Sequence, residues 1–531
     1  MAHLLHPHLQ RASQTVLGRF NPDSYSIGYV GNLREVFQDN IEYPLEEAAG
    51  GEIDDRFYKR LVLYHEVIHY QQFVSTNFGL DYARTLNIAM NHIDKGKPWS
   101  LPIFREIGAW EKIDPQSLDR FASFLWLRTE LEDSFYEKEA SSSFSASLYS
   151  VPYISPIYLF GQPPTFENVR RMADASDLPI SGMPYLRINK GDGTERHSRI
   201  NVASLMEAYA HLSEIHHILN AYPEIQRDPE KLIAITFNYD PTYINIVVLY
   251  FVIFDYGLHL WLHQLSALID IALMYSPGVV HGIGPMHSKK SGGEKFRLWS
   301  NTFIDALVAG KRVTQMRDYS AQEAQRFQDD VADCMGIPRV SALTDMGLEV
   351  LAKYGFNDMA DAEGILDQKS PLIRRIMAHH FIGLDYRKRY GAGYGSFMFH
   401  TPTVQDFMAH SAEIATFYDI ESGVPYNFDP AKIFQSSASS IVRSALVSDK
   451  TVCPLKMGVP FRCPNPSSDD NLLCKFGRYD KDRTMLFDEE FFGSECWVDV
   501  FDRFAQVKLK ENAETPWKTA LLRVIEAWRR G

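Results

Sequence analysis

The five-residue run H-E-V-I-H at positions 65–69 constrains the fold of this chain more than any other feature of the sequence. Two histidines four residues apart on a helix project from one side about one turn apart, so their ring nitrogens can converge on one ion. Apolar residues recur around the run at spacings of three and four, which predicts a helix from about residue 54 to 77 with both histidines turned inward. The run therefore predicts a divalent metal in a helical core, with zinc as the expected ion.

This run is too specific to be an accident of composition. With 18 histidines in 531 residues, random placement predicts about 0.03 runs of this type. The shorter pattern E-x-x-H is expected about once by chance, and the chain contains it as Glu66/His69 and Glu214/His217. The alternative for His65 and His69 is a buried pair hydrogen-bonded to the protein, which is costly beside a buried carboxylate without a compensating ion.

Glu66 lies between the two histidines and is expected near the ion without ligating it. A bound cation polarises a substrate carbonyl and lowers the pKa of water, so that a neighbouring carboxylate can take the proton and pass it to a leaving group. The sequence therefore predicts a zinc-dependent hydrolase of peptide or amide bonds, with Glu66 as general base.

The same run, followed by Gln72 and by the later E-A-Y-A at residues 207–210, resembles the gluzincin group of zincin metallopeptidases. The resemblance is confined to these two patches of the chain. It implies a zincin-like core in which His65, His69 and Glu207 are the metal ligands and Glu66 is the catalytic base.

The third ligand is open to two alternatives. Glu207 is free to ligate if its helix begins at Asn201. If Ser204 is the cap residue, Glu207 instead completes a capping box with it. Glu214 lies two turns further along the same helix face and is the substitute ligand.

Two further histidines are candidates for stabilising an oxyanion. His211 follows Glu207 by one turn, and His259 lies with Asp255 and His263 along one side of a very apolar segment. Polar groups there require buried partners, which a metal site or a polar seam between helices would supply. We expect His211 or His259 to take part in catalysis.

Periodicity and turn residues predict a mainly α fold of the α+β class. The G-D-G turn at residues 191–193 predicts a β-hairpin that leads into the helix of Glu207. The predicted segments are a helix at about 115–140, an extended loop at 141–166, hairpin strands at 185–189 and 195–201, helices at about 201–221 and 243–275, further helices to about 385 and a closing helix at about 517–529.

A run rich in glycine and polar residues at 278–293 predicts a domain boundary. We expect a metal-binding catalytic domain at 1–285, a helical domain at 286–440 and an irregular cysteine-containing segment at 441–531. The cysteines of this last segment lack the close pairs of a zinc ribbon, which favours free thiols over a second metal site. They are Cys453, Cys463, Cys474 and Cys496.

Charge and hydropathy disfavour several classes of partner. A formal net charge of -13 and a pI near 5.8 argue against nucleic acid, whose partners usually present a basic face. The most apolar stretch, 244–254, is about half the length of a membrane-spanning helix, so no membrane partner is expected. Residues 1–10 lack the pattern of a secretory signal, so we expect a cytoplasmic location. The expected partner is a peptide or amide substrate, and the oligomeric state stays open.

Two other functions explain part of the pattern. A di-metal (iron) carboxylate oxidase or oxygenase in a helical bundle would use both E-x-x-H units with glutamates such as Glu35 and Glu132 or Glu139, but it assigns no role to His65. An inactive zincin-like scaffold would bind peptides in an aromatic groove. One zinc per chain supports the hydrolase, two irons support the oxidase, and no metal supports the binding protein.

Overall fold

The fold is that of a computed structural model of the chain. It describes residues 18–22, 25–30, 55–94, 127, 130, 131, 135–139, 144–152, 182–190, 193–223, 225, 228, 232, 235, 236, 241–254, 261–280, 299–367, 372–390, 416–419, 477–479 and 485–487. These residues include Glu207 and the H-E-V-I-H run at 65–69, which we call the metal-binding run after its predicted role, whereas Asp255 and His259 lie outside them.

Helices make up most of the described chain, which confirms the predicted mainly α (α+β) class. The helices are α1 (Asp55–Val74), α2 (Asn77–Asp94), α3 (Val202–Ala221), α4 (Pro241–Ile253), α5 (Trp261–Met274), α6 (Pro277–Val280), α7 (Trp299–Arg312), α8 (Ala321–Met335), α9 (Val340–Ala352), α10 (Met359–Asp367) and α11 (Leu372–Tyr390). The strands are β1 (Gly18–Asn21), β2 (Ser26–Tyr29), β3 (Phe135–Glu139), β4 (Phe144–Pro152), β5 (Gly182–Lys190), β6 (Thr194–Arg199), β7 (Thr416–Asp419), β8 (Gly477–Tyr479) and β9 (Met485–Phe487).

Helices α1 and α3 pack against each other and carry the two halves of the predicted metal site. Val67 and Ile68 of α1 are fully buried, as are Ala208 and Leu212 of α3. Helix α3 is apolar on most sides because α4 and α5 pack against it as well. Burial of such side chains stabilises the pair by roughly 25 cal/mol per Å² of apolar surface, so the facing side chains of α1 and α3 are held in a rigid core.

The predicted hairpin before α3 is confirmed. Strands β5 and β6 pair antiparallel, and Gly193 in their turn has a φ of 93°, a conformation that glycine adopts without steric cost. The amide of Ile200 donates to the carbonyl of Pro184 at 2.9 Å, so the paired strand leads directly into Asn201, the cap residue of α3.

The predictions for residues 115–166 are wrong in two places. Residues 135–139, expected at the end of a helix, form β3, and residues 144–152, expected in a loop, form β4. Both are strands because they pair with the hairpin, in the sheet order β3–β6–β5–β4. Pairing with a distant partner overrides weak local preferences in β-structure.

A second sheet has the order β1–β2–β7, with β1 and β2 antiparallel and β2 and β7 parallel. Strands β1 and β2 pack on α1. This sheet thereby covers the helix that carries the metal-binding run.

The long buried helix predicted at 243–275 is wrong as one element, because α4 ends at Ile253 and α5 begins at Trp261. Both helices are strongly apolar, which explains why the pattern reads as continuous. His263 lies on α5 and is buried.

Helices α7 to α11 supply the helical region expected after residue 286, and their buried side chains join the same hydrophobic core as those of α1 to α5. Helix α11 contacts α1 and α2 directly. The domain boundary itself stays a prediction. In the last segment the structure describes β8 and β9, whereas the four cysteines and the closing helix at 517–529 lie outside the described residues. Within the described ranges, no helix is both long and apolar enough to cross a membrane.

Candidate metal centre

Helix α1 places the two histidines of the metal-binding run side by side. The Nε2 atoms of His65 and His69 are 3.0 Å apart, and the rings meet edge to face at a centroid distance of 4.6 Å. Both residues are buried, with exposures of 7% and 5%. The i, i+4 spacing on a regular helix is sufficient to produce this approach.

Helix α3 supplies a carboxylate to the same point. Oε2 of Glu207 lies 3.2 Å from Nε2 of His65 and 3.3 Å from Nε2 of His69. Three ligands at about 2.0 to 2.1 Å from a tetrahedral zinc are about 3.3 to 3.4 Å apart, so this triangle is close to the size that a zinc ion requires. We call His65, His69 and Glu207 the metal cluster.

The question of the helix cap is decided in favour of Asn201. Its side-chain oxygen accepts a hydrogen bond from the Ser204 amide at 2.9 Å, and the Asn201 amide donates to the Ser204 hydroxyl oxygen at 3.0 Å. Ser204 is therefore the third residue of the helix, and Glu207 lies in the second turn, where its carboxylate is free of capping.

Hydrogen-bond acceptors contact the Nδ1 atoms of the two histidines, on the side of each ring that faces away from the cluster. Nδ1 of His65 lies 3.2 Å from Oε1 of Glu214, and Nδ1 of His69 lies 3.3 Å from Oε1 of Gln72. Because both partners offer oxygen acceptors, each Nδ1–H can donate, which leaves Nε2 of each ring as the atom that a metal ion would bind in place of a proton. Two ring nitrogens and a carboxylate oxygen then face one point, where a cation is stabilising.

The electrostatics of the cluster also favour a cation. Burial opposes a charge on His65, but Glu214 and Glu207 raise its pKa well above the ordinary value. Burial likewise opposes ionisation of Glu207, yet His69 and His65 hold its pKa well below the usual range. Glu214 shows the same balance, with burial outweighed mainly by His65, so that its pKa is lowered. Two ionised carboxylates thus surround the imidazoles, as in metal sites whose ligands are held by carboxylates.

Glu66 lies beside the cluster under strand β1. Burial raises the pKa of Glu66, and the nearby Glu207 raises it further. His65, His69 and the Phe20 amide, which donates to the Glu66 carboxylate, lower the pKa but do not offset the increase. A Cβ atom on Gly18 would lie 2.6 Å from Cγ of Glu66, so β1 requires glycine at this position. A carboxylate with a raised pKa next to a metal cluster is suited to exchanging protons.

The remaining predicted site residues have other contacts. Nε2 of His211 lies 3.0 Å from the carbonyl of Thr236, and its Nδ1 lies 3.5 Å from Glu214. This fully buried ring therefore supports Glu214 from behind, which does not fit the expected oxyanion role. Glu214 in turn contacts Nδ1 of His65 as an outer partner of the cluster rather than as its third ligand. His259 lies outside the described residues.

Sequence reasoning missed the residues that hold Glu66. The contacts of Gly18 and Phe20 depend on how β1 crosses α1, and no motif marks them. By contrast the contact of Gln72 with His69 is predictable from the sequence, because Gln72 follows His69 by three residues and lies on the same helix face.

Among the described residues, His65, His69 and Glu207 form the one group of three possible ligands whose ligand atoms all lie within 4.8 Å of one another. No protein-family model matches this chain, and no curated protein or solved structure matches it either.

Proposed function

We propose that the chain is a zinc-dependent hydrolase of peptide or amide bonds, with a gluzincin-like metal site. The proposal is carried by one observation: Nε2 of His65, Nε2 of His69 and Oε2 of Glu207 lie within 3.3 Å of one another, with Glu66 beside them. Two imidazoles and one carboxylate form a common ligand set of catalytic zinc, which keeps a fourth position open.

The residues around the cluster divide the chemical work. Zinc bound by His65, His69 and Glu207 would supply a Lewis acid that polarises a carbonyl and lowers the pKa of water. Glu66 accepts the proton of the attacking water and delivers it to the leaving amine. The partly exposed side chain of Glu207 (27%, against 8% or less for His65 and His69) marks the side from which substrate approaches.

The position of β1 favours an extended peptide as substrate. The Phe20 amide donates to Glu66, and among the described residues β1 is the outer strand of its sheet. An outer strand offers backbone donors and acceptors to an extended chain. A peptide aligned along β1 would pass next to Glu66.

The contacts of Glu214 and His217 disfavour the di-iron alternative. Glu214 is directed at Nδ1 of His65, behind the metal cluster. The ring of His217 packs edge-on against Tyr64 at 4.1 Å, and burial lowers the pKa of His217 to about 3. A second ion would need both side chains to turn away from these contacts.

The test combines metal analysis with a matched pair of variants. Elemental analysis of the purified chain is expected to find one zinc per chain. Glu66→Gln is expected to keep the zinc and to lose at least about 100-fold in the hydrolysis of fluorescently labelled casein. Glu349→Gln, which neutralises an exposed carboxylate on α9, is the control and is expected to keep both zinc and activity.

Each alternative has its own result. Two irons per chain would establish the oxidase alternative, and a chain that binds peptides without metal would establish the binding protein. A Glu66→Gln variant that hydrolyses casein at the wild-type rate would remove Glu66 from the mechanism.

A further inference from the structure

Strand β1 is held against the metal-binding helix at two points. Near its start, Gly18 allows the backbone to approach the Glu66 side chain. Near its end, the ring of Phe20 contacts Tyr70 and Phe73 of α1 at centroid distances of 6.2 and 5.7 Å. The Phe20 amide donates to the Glu66 carboxylate, so the location of β1 determines one hydrogen bond of the proposed base.

Tyr25 lies in a turn directly before β2. It has a φ of 52°, in the left-handed region that a bulky residue adopts only when other contacts compensate for the strain. Its side chain is fully buried. The turn is therefore maintained by what the Tyr25 ring and hydroxyl contact.

Those contacts come from helix α11, more than 350 residues further along the chain. The Tyr25 hydroxyl lies 2.7 Å from Nε2 of His380, and the Tyr25 ring stacks on His379 at 5.4 Å. Burial lowers the pKa of His380 to about 3, so the ring is neutral and Nε2 can accept the hydroxyl hydrogen.

Helix α11 is itself attached to the metal-binding helix. The hydroxyl of Tyr70, which directly follows His69, lies 3.0 Å from Nδ1 of His379. Tyr25 also meets Phe73 of α1 edge-on at 5.6 Å. The hairpin of β1 and β2 is thus clamped between α1 and α11, with Tyr25 as the residue that contacts both.

We infer that Tyr25 is a positioning residue, which holds the β1–β2 hairpin and its Phe20 amide against the carboxylate of Glu66. The inference rests on the proposed role of Glu66 as general base. The contacts of Tyr25 described above are to Phe73, His379 and His380, and none of these three residues belongs to the metal cluster. Tyr25 acts by keeping Glu66 in a single orientation.

The first experiment measures hydrogen exchange of the backbone amides of residues 18–21 in the zinc-loaded protein. Tyr25→Phe removes the hydroxyl only and is expected to accelerate exchange in this strand about tenfold. Tyr82→Phe also removes a hydroxyl from a fully buried tyrosine, on α2, and is expected to leave residues 18–21 protected. Unchanged protection in Tyr25→Phe would overturn the inference.

A double-variant comparison links Tyr25 to Glu66 without any assay of activity. In a Glu66→Ala background the Phe20 amide has already lost its acceptor. Adding Tyr25→Phe is therefore expected to change the exchange rate of the Phe20 amide by less than about twofold. An undiminished tenfold effect in that background would mean that the two residues are independent, and the inference would fall.

Kinetics on labelled casein test the consequence for catalysis. Tyr25→Phe is expected to lower kcat about tenfold with KM within about twofold and with full zinc content, because only the base is displaced. Gly18→Ala leaves Tyr25 intact but forces β1 away from Glu66, and it is expected to give the same pattern. Unchanged kcat in both variants would overturn the positioning role.

A wild-type chain that cleaves no casein would count against the proposed function, whereas the exchange comparison would still decide whether Tyr25 positions Glu66.

Discussion

Two of the buried charged clusters among the described residues differ in how their charges are matched. In the first, which we call the Asp270 cluster, Arg387 donates to both oxygens of Asp270 at 2.7 Å, and Gln328 donates to the same carboxylate at 3.0 Å. The Nε–H of Arg387 donates to the carbonyl of Ser75 at 2.8 Å. Each positive group faces an acceptor, so the Asp270 cluster needs no ligand.

The metal cluster has the opposite arrangement. Two imidazole nitrogens and a carboxylate oxygen converge on one point, while Glu214 and Gln72 take the Nδ1–H groups on the far side of the rings. Three such atoms within 3.3 Å of one another require a shared cation, which is either a proton or a metal ion. A buried charged cluster therefore indicates a ligand site when its charges converge on a point that an exchangeable cation can occupy, and not when a guanidinium group already fills that point.

Removing one partner of the Asp270 cluster should have the largest effect on stability. Arg387→Met leaves Asp270 buried without its counter-ion and is expected to lower the free energy of unfolding by about 3 to 5 kcal/mol, measured by urea denaturation. The control is the double variant Asp270→Leu with Arg387→Met, which removes both charges and should recover most of the loss. A single variant as stable as the wild type would show that the pair is not the structural tie we describe.

Zinc should stabilise the metal cluster and leave the Asp270 cluster unaffected. At a zinc concentration about 1,000 times the Kd, the wild type should gain about 4 kcal/mol of unfolding free energy, visible as a Tm that rises with zinc and falls with chelator. His69→Ala should abolish this dependence. His216→Gln changes a histidine outside the metal cluster on α3 and should retain it. A Tm insensitive to metal in the wild type would contradict the assignment of the cluster.

The outer partner Glu214 should have a smaller effect than a ligand. Glu214→Gln keeps an oxygen near Nδ1 of His65 but removes the charge, so zinc affinity is expected to fall about 10- to 100-fold. Competition with a chromophoric chelator measures this change, with Glu349→Gln as control. If Glu214→Gln lost zinc as completely as His69→Ala, Glu214 would be a ligand after all.

The neutral buried pair of Tyr25 and His380 should have the smallest effect on stability. The pKa of His380 is lowered by burial to about 3 in the folded chain, below the value of about 6.5 expected when unfolded. Between these values the unfolded state binds the additional proton, so stability is lost as the pH falls below about 6.5, by up to about 1.4 kcal/mol per pH unit. His380→Gln should lose stability less steeply than the wild type between pH 6 and 5, as measured by urea unfolding. Parallel curves for the two proteins would exclude His380 as the cause.

Much of the local structure was predictable because it depends on neighbours in sequence. The spacing of apolar residues predicted α1 and α3 to within a few residues, and the G-D-G turn predicted the hairpin. The wrong predictions of secondary structure lie where contacts with residues distant in sequence determine the local structure. Residues 135–139 became a strand through pairing with β6, and the apolar stretch from 243 to 275 was divided into α4 and α5.

Local sequence is sufficient to predict that His65 and His69 present two nitrogens to one point, because the i, i+4 geometry is a property of any helix. It also limited the third ligand to Glu207 or Glu214. Tertiary structure places the two carboxylates differently, since the packing of α3 on α1 directs Glu207 at Nε2 and Glu214 at Nδ1 of the same ring. The tertiary structure likewise brought β1 and Tyr25 to Glu66, because contacts between residues hundreds of positions apart depend on how the whole core packs and not on any local pattern.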